Sequence, residues 1–153
     1  MKNLKKIILA GGSGQIGTAL IEFYKNKTEE IIVLTRGKSL KKENIHYLHW
    51  NGFSTTDSNS LLEGAEMLIN LVGKNVNCRY NDKNKKEIFD SRTNSIQALH
   101  AIILTLENPP KIWIQATSST IYCHSEDKAM TEQDTELGTG FSVEVCKRWE
   151  NKF

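Results

Sequence analysis

The chain has 153 residues, of which 25% are charged and 39% hydrophobic, and its net charge is +2. This length and balance are ordinary for one globular domain, which would bury roughly 70% of the surface of its unfolded chain. Because charges of both signs are interspersed and no apolar run has the length of a membrane helix, we expect neither a nucleic-acid surface nor a membrane span.

Strand and helix signals alternate along the chain. Apolar runs of strand length predict five strands, at residues 5–10, 30–36, 45–50, 66–72 and 111–116. Helical patterns predict helices at residues 14–25, 83–106 and 141–153, with a short helix or turn at 57–62 and a polar loop at 125–140. Because strands alternate with helices, we expect a doubly wound, parallel α/β sheet in one domain, residues 1–153.

The first predicted strand leads into a glycine cluster, GGSGQIG at residues 11–17, and a helix follows at once. In this context the G-x-G-x-x-G pattern is typical of the dinucleotide-binding turn of a Rossmann fold. Gly14 would let the backbone approach a pyrophosphate, and Gly17 would let the helix pack closely on the strand. The alternative is an ordinary glycine-rich turn. The cofactor-binding residues predicted here are Gly11, Gly12, Ser13, Gly14, Gln15, Ile16 and Gly17.

The second predicted strand ends in Thr35 and Arg36, with no acidic residue at that point. In this fold an acidic residue there usually binds the ribose hydroxyls of NAD, whereas an arginine accommodates the additional phosphate of NADP. We therefore predict that Thr35 and Arg36 bind the cofactor and that NADP is favoured over NAD. The alternative is a surface arginine that ends the strand.

Three further segments carry more specific patterns. They are INLVGKNV at residues 69–76, K-x-x-I-x-x-S-R at residues 85–92, and V-C-x-x-W-E at residues 145–150. Together with the glycine turn, they resemble the extended or atypical branch of the short-chain dehydrogenase/reductase superfamily, the NAD(P)-dependent epimerase/dehydratase-like proteins. The subgroup that the chain resembles most is labelled nucleoside-diphosphate-sugar epimerase, and some of its members carry a cell-division label.

This resemblance implies roles for residues outside the glycine turn. Leu71, Val72 and Gly73 would form the wall near the nicotinamide ribose, and Asn51 would contact the adenine. The predicted catalytic residues are Thr117 and Ser118, because Ser118 lies four residues before a tyrosine, at the position of the superfamily's catalytic serine or threonine. The alternative for these two hydroxyls is that they satisfy the backbone at a strand end.

The chain departs from the superfamily at the catalytic pair. No tyrosine in the sequence is followed by lysine four residues later. In the superfamily that lysine lowers the tyrosine pKa so that the phenol can transfer a proton near neutral pH. The resemblance places Ser142 at the tyrosine position and Cys146 at the lysine position, which puts ordinary epimerase or dehydrogenase chemistry in doubt.

A second departure concerns length. Extended members of the superfamily continue with further strands and a substrate-binding region, so we expect a Rossmann domain truncated after about five strands. The fifth strand would then be an exposed edge, which favours self-association. We predict a homodimer formed through this edge or through the helices at 83–106 and 141–153.

Three hypotheses on function follow from these patterns. The first is an NADP(H)-dependent epimerase or oxidoreductase, the second an inactive NADP(H)-binding relative, and the third a regulatory or protein-interaction module such as a cell-division factor. The cysteines, Cys78, Cys123 and Cys146, show no CxxC spacing, and the N-terminus lacks the form of a signal peptide. We therefore expect a reduced, cytoplasmic location and no metal site.

Overall fold

The computed structural model describes residues 4–54 and 59–153, so the predicted helix or turn at 57–62 lies partly outside the described residues. Within these ranges the strands are β1 (Leu4–Ala10), β2 (Thr28–Thr35), β3 (Leu40–Lys42), β4 (Ile45–His49), β5 (Met67–Asn70) and β6 (Ile112–Gln115). The α-helices of these ranges are α1 (Gln15–Tyr24), α2 (Asp82–Ile103) and α3 (Phe141–Glu150). Short 3₁₀ helices cover Asn59–Leu62 and Ser119–Ile121.

The strands form one sheet in the order β3-β4-β2-β1-β5-β6. All neighbouring pairs are parallel except β3 and β4, which are antiparallel. From β1 the strand order runs outwards in both directions, through β2 on one side and through β5 on the other. The carboxyl ends of β1 and β5 therefore border a topological switch point, where ligands bind in open α/β sheets.

The two central strands, β2 and β1, are buried on both faces of the sheet. Side chains alternate along a strand, so Ile8 and Ile32 pack with Leu99 of α2 on one face. On the opposite face Ile7 packs with Ile21 of α1. Helices thus cover both faces of a mainly parallel sheet, and the predicted doubly wound Rossmann architecture is confirmed.

The strand β3 is an addition to the predicted elements. It has only three residues, all exposed, and two of them are lysines, so it carries no apolar alternation that would indicate a strand. A tight turn brings it back along β4, and Glu43 in this turn has a φ of 54°. The strand exists because it pairs with β4, the next strand along the chain, in a hairpin whose turn is residues 43–44.

The described sheet ends at β6, which pairs with β5 on one side. Trp113 packs against the core on the α2 face. The neighbouring side chains Ile112 and Ile114 therefore point to the other face, where they are 53% and 43% exposed. The predicted exposed edge is thus present in the described residues, and the exposed side chains of its strand, Ile112 and Ile114, are apolar.

Candidate functional site

The glycine turn between β1 and α1 depends on close backbone contacts. Gly11 has a φ of +75°, and a Cβ at this position would lie 3.0 Å from the backbone nitrogen of Val72. A Cβ on Gly17 would lie 2.3 Å from the carbonyl oxygen of Gly12, so α1 packs directly on the turn. A Cβ on Gly14 would meet nothing closer than 3.6 Å. Protein packing therefore requires Gly11 and Gly17, whereas Gly14 leaves space beside the turn.

The start of α1 is open to an anion. The N-cap residue Gly14 supplies no side-chain cap, and the first turn of the helix holds no acidic residue. The first N–H groups of any helix lack acceptors within the helix, and the helix dipole adds a partial positive charge there. Exposed backbone N–H groups next to a tight glycine turn are what a phosphate site requires.

The turn borders a cleft of about 380 Å³ at the carboxyl ends of β1, β2 and β5. The predicted cofactor residues that line it are Gly11, Ser13, Gly14, Thr35, Arg36, Asn51, Leu71, Val72 and Gly73. The remaining ones, Gly12, Gln15, Ile16 and Gly17, belong to the same turn and helix start but do not line the cleft. The structure thus brings together residues from four separate segments, and their binding of a cofactor stays a prediction.

Charge in the cleft is positive. Arg36 and Lys74 line it, and none of the described residues that line it is acidic. The ammonium group of Lys74 pairs with Glu87, which lies outside the lining, and this contact holds the pKa of Glu87 below its usual value. Arg36 is exposed and forms no ion pair with another described residue. Its guanidinium is therefore available to a ligand.

Thr35 and Asn51 use their side chains to shape the cleft. The Thr35 hydroxyl donates to Ser13 Oγ at 2.9 Å and accepts from the backbone of Gly37 at 3.2 Å. Asn51 Oδ1 accepts from the backbone nitrogens of Phe53 and Ser54 at 2.8 and 3.1 Å. These contacts connect the glycine turn to β2 and hold the loop after β4. Both residues therefore stabilise the local structure, in addition to their predicted role in binding.

Asn70 at the end of β5 is a site residue that sequence reasoning missed. It is fully buried, and its Nδ2 donates to Gln115 Oε1 at 2.9 Å and to Ser95 Oγ at 3.2 Å. Its Oδ1 accepts from the backbone nitrogen of Val72 at 3.1 Å. The side chain therefore orients the wall of the cleft. A polar residue within an apolar strand is the signal that could have indicated it.

Lys74 and Ser91 were also missed as cleft residues. The Lys74 backbone nitrogen donates to Ser91 Oγ at 2.9 Å, which joins the loop after β5 to α2. Both residues lie within the motif segments 69–76 and 85–92. Their positions in those segments are the signal that could have placed them beside the cleft.

The two predicted catalytic hydroxyls point to different partners. Thr117 Oγ1 donates to a carboxylate oxygen of Glu150 at 2.5 Å. Ser118 Oγ lies 3.0 Å from Thr120 Oγ1, which in turn lies 3.3 Å from the Sγ of buried Cys146. Ser118 lines a second cavity, and Thr117 does not. The structure therefore separates the pair, and Ser118 alone faces a space that could hold a substrate.

Within residues 4–54 and 59–153, no group of three or more His, Cys, Asp or Glu side chains is placed to hold a metal ion. The helices of the same ranges are all too short or too polar to cross a membrane.

Comparison with known proteins gives one family. The model of the NAD dependent epimerase/dehydratase family matches residues 7–144. An epimerase family protein of Staphylococcus epidermidis is 28% identical over 154 residues, which cover 98% of this chain and 50% of the relative. The chain spans about half the length of the curated relatives it matches.

Two solved structures share this architecture. Human epimerase family protein SDR39U1 with NADPH has a TM-score of 0.74 and 23% identity, over 96% of this chain and 48% of the human chain. The nucleoside-diphosphate sugar epimerase of Corynebacterium glutamicum has a TM-score of 0.72 and 27% identity, over 98% of this chain and 30% of the other.

Proposed function

The chain belongs to the NAD-dependent epimerase/dehydratase family, and on that premise we propose that it is an NADP(H)-binding protein. One observation carries the proposal. The glycine turn, the end of β2 and the loop after β5 line a single cleft whose charged residues, among those described, are Arg36 and Lys74. A dinucleotide with three phosphate groups suits a cleft of this shape and charge.

The choice of NADP(H) over NAD(H) rests on the side chains at the end of β2. Thr35 already bonds to Ser13 and Gly37, so its hydroxyl is engaged within the protein. Arg36 is exposed beside the same cleft and has no carboxylate partner among the described residues. An arginine in this place accommodates the additional phosphate on the adenosine ribose. That phosphate is what distinguishes NADP from NAD.

Each part of the cleft has a distinct binding task. The N–H groups at the start of α1 would hold the pyrophosphate. The Val72 backbone, held by Asn70, would form the wall on the nicotinamide side. When bound, the cofactor would supply hydride transfer to or from a substrate carbon. Ser118, which lines the adjoining cavity, would bond to the oxygen on that carbon.

We further propose that the chain lacks the usual proton transfer of its superfamily. Ser142 and Cys146 stand where the resemblance places the tyrosine and the lysine, and both line the second cavity. Cys146 is 2% exposed and contacts the Thr120 hydroxyl. A cysteine in that position supplies no positive charge to lower the pKa of a nearby acid. The proposed activity is therefore cofactor binding without tyrosine–lysine catalysis.

A protein-interaction role is a second candidate, and the edge strand β6 is the observation that favours it. Its outward side chains Ile112 and Ile114 are apolar and exposed, and its outer hydrogen-bonding groups face no further strand within the described residues. Such an edge is a template for another polypeptide.

Titration of the purified chain with NADPH and with NADH, followed by fluorescence or calorimetry, tests the first proposal. We expect NADPH to bind about tenfold more tightly than NADH, and Arg36→Ala to remove this difference by weakening NADPH alone. Arg148→Ala is the matched control, because Arg148 is exposed and lies outside the cleft. Binding of neither nucleotide would refute the function, and equal binding would refute the NADP(H) preference.

A further inference from the structure

A second cavity of about 140 Å³ lies next to the cofactor cleft. The two spaces share a wall, because Gly73 and Lys74 line the cleft and also contact Arg92, which lines the second cavity. Aromatic rings of Tyr80 and Trp149 form part of its surface. Arg92 carries the only formal charge among the described residues that line it.

The guanidinium of Arg92 is held in a fixed plane. Its Nη1 donates to the carbonyl oxygens of Ile88 and Lys74 at 3.0 and 3.3 Å. Its central carbon lies 4.9 Å from the centre of the Trp149 ring, a distance at which a cation is attracted to the ring face. These contacts orient the group, but none of them brings a carboxylate of the described residues to its charge.

Two residues that line this space each have a buried donor atom. Arg92 Nε and Trp149 Nε1 are buried, and neither has a hydrogen-bond partner among residues 4–54 and 59–153. No carboxylate of those residues forms an ion pair with Arg92. Burial of a cation without an opposite charge is costly, and burial lowers the pKa of Arg92 here. The buried Nε of this unpaired cation and the indole N–H beside it suit a ligand that is rich in acceptors and negative in charge.

We propose that this cavity binds the carboxylate group of a small organic acid, with Arg92 as its counter-ion. Arginine matches a planar carboxylate through two parallel N–H bonds, and Nε belongs to the edge that makes such a pair. The acid is a candidate substrate because Ser118 lines the same cavity. In that respect the proposal rests on the proposed function, since the C2 hydride of a 2-hydroxy acid would pass to NADP⁺ in the neighbouring cleft and its hydroxyl proton to solvent water.

The size of the cavity limits the acid. An engineered protein cavity of about 150 Å³ holds benzene, which has six non-hydrogen atoms. The present cavity is similar, at about 140 Å³. A three-carbon 2-hydroxy or 2-oxo acid also has about six such atoms. Its carboxylate would pair with Arg92, and its second oxygen would be available to the Ser118 hydroxyl.

Lactate and its neutral counterpart lactamide are suitable probes, because they differ mainly in the charged group. The Nε–H resonance of Arg92 in a ¹H–¹⁵N spectrum reports the contact directly. We expect lactate to shift this resonance in a saturable manner and lactamide to leave it unchanged. Orthophosphate separates carboxylate recognition from general anion binding. Binding of orthophosphate without lactate would overturn the proposal, as would equal binding of lactate and lactamide.

Substitution of the arginine gives the second measurement, with lactate binding followed by ligand-observed NMR. We expect Arg92→Met to lower lactate affinity by about tenfold or more. Arg92→Lys should lower it less, because lysine keeps the positive charge but cannot make the two parallel N–H bonds of a guanidinium. Arg148→Met is the matched control. Its guanidinium also lies over a ring, 4.6 Å from the centre of Phe89, but it is exposed and outside the cavity. Unchanged lactate affinity in both Arg92 variants would overturn the proposal.

NADPH titration of the same samples separates this proposal from the proposed function. Lactate binding without NADPH binding would support the carboxylate site and refute the cofactor site. NADPH binding without lactate binding would support the cofactor site and refute the carboxylate site. Thermal unfolding of each variant shows whether a lost affinity reflects a lost fold.

Discussion

The side-chain oxygen of Asn70 accepts a 3.1 Å hydrogen bond from the backbone nitrogen of Val72, two residues further along the chain. This bond turns the chain at the end of β5, where Leu71, Val72 and Gly73 line the cleft beside the glycine turn. The same amide group bonds to Ser95 and Gln115 beneath the sheet. One buried polar side chain therefore joins the sheet, α2 and the cleft wall.

Replacement of Asn70 is expected to affect stability and cofactor binding together. Asn70→Leu keeps the approximate size but leaves Gln115 Oε1 and the Val72 N–H without their partner, at a cost of about 1–3 kcal/mol. Chemical denaturation measures that loss, and NADPH titration at a temperature where the variant is folded measures the second effect. We expect NADPH affinity to fall several-fold. Unchanged affinity would show that the Val72 turn does not depend on this bond.

Gly17 is expected to tolerate no side chain. A Cβ there would lie 2.3 Å from the carbonyl oxygen of Gly12 and could fit only if α1 moved away from the turn. Gly17→Ala should therefore destabilise the fold by about 2–3 kcal/mol, as overpacking does, and lower the melting temperature by several degrees. Gly37→Ala is the control, because its Cβ would meet nothing closer than 3.6 Å. Equal melting temperatures for the two variants would contradict the prediction.

We expect the chain to self-associate through β6. The double variant Ile112→Lys, Ile114→Lys would place charges along the open edge of β6. Natural sheets use charges on an edge strand to prevent pairing. The double variant should shift the monomer–dimer equilibrium measured by sedimentation about tenfold towards monomer. Leu104→Lys removes an apolar side chain that is 72% exposed but lies at the end of α2, and it should leave the equilibrium unchanged. A monomeric parent chain at micromolar concentration would refute the prediction.

The loop at 125–140 is expected to loosen in acid. The Lys128 ammonium group donates to the Asp134 carboxylate, and the backbone nitrogen of Thr131 donates to the same carboxylate at 2.7 Å. Together these two bonds hold the pKa of Asp134 below its ordinary value of 3.8. A carboxyl group with a lowered folded-state pKa contributes its full stability above the unfolded value and loses it as the pH falls below about 3.8. The protection factor of the Thr131 amide, which corrects for the intrinsic pH dependence of exchange, should therefore fall below that pH.

Asp134→Asn should remove this pH dependence and give fast exchange at Thr131 already at neutral pH. Asp127→Asn is the control, since Asp127 lies in the same loop and is exposed. If Asp127→Asn abolished the pH response and Asp134→Asn preserved it, the assignment of the titrating group would be wrong.

The elements that could be predicted from sequence are those whose cause is local. The parallel strands follow from apolar runs such as residues 31–34, and α1 and α2 follow from periodicity near 3.6 residues. The glycine turn could be predicted because its local demands are the positive φ of Gly11 and the close contact of Gly17 with Gly12, whereas the contact of Gly11 with Val72 comes from the tertiary fold. Element ends were less accurate, and α2 ends at Ile103 where the sequence predicts residue 106.

The remaining features depend on contacts between distant residues. The strand β3 is an exception, because its partner β4 begins only three residues after it ends, but nothing in its own three residues indicates a strand. Arg92 meets Trp149 across 57 positions of sequence (149 − 92), and no local pattern in either segment predicts that contact. The same holds for Ser118 and Cys146, which Thr120 joins. Such groupings require the tertiary fold.

Within residues 4–54 and 59–153, the two outer strands of the sheet differ in a way that would limit the size of an assembly formed through β6. The strand β3 is short and exposes two lysines, whereas β6 has no charged residue among its four. Pairing of two β6 edges about a two-fold axis would place both lysine-bearing strands at the outside of a continuous sheet. Because lysines on an edge oppose further addition, growth would stop at two copies rather than continue into a fibre.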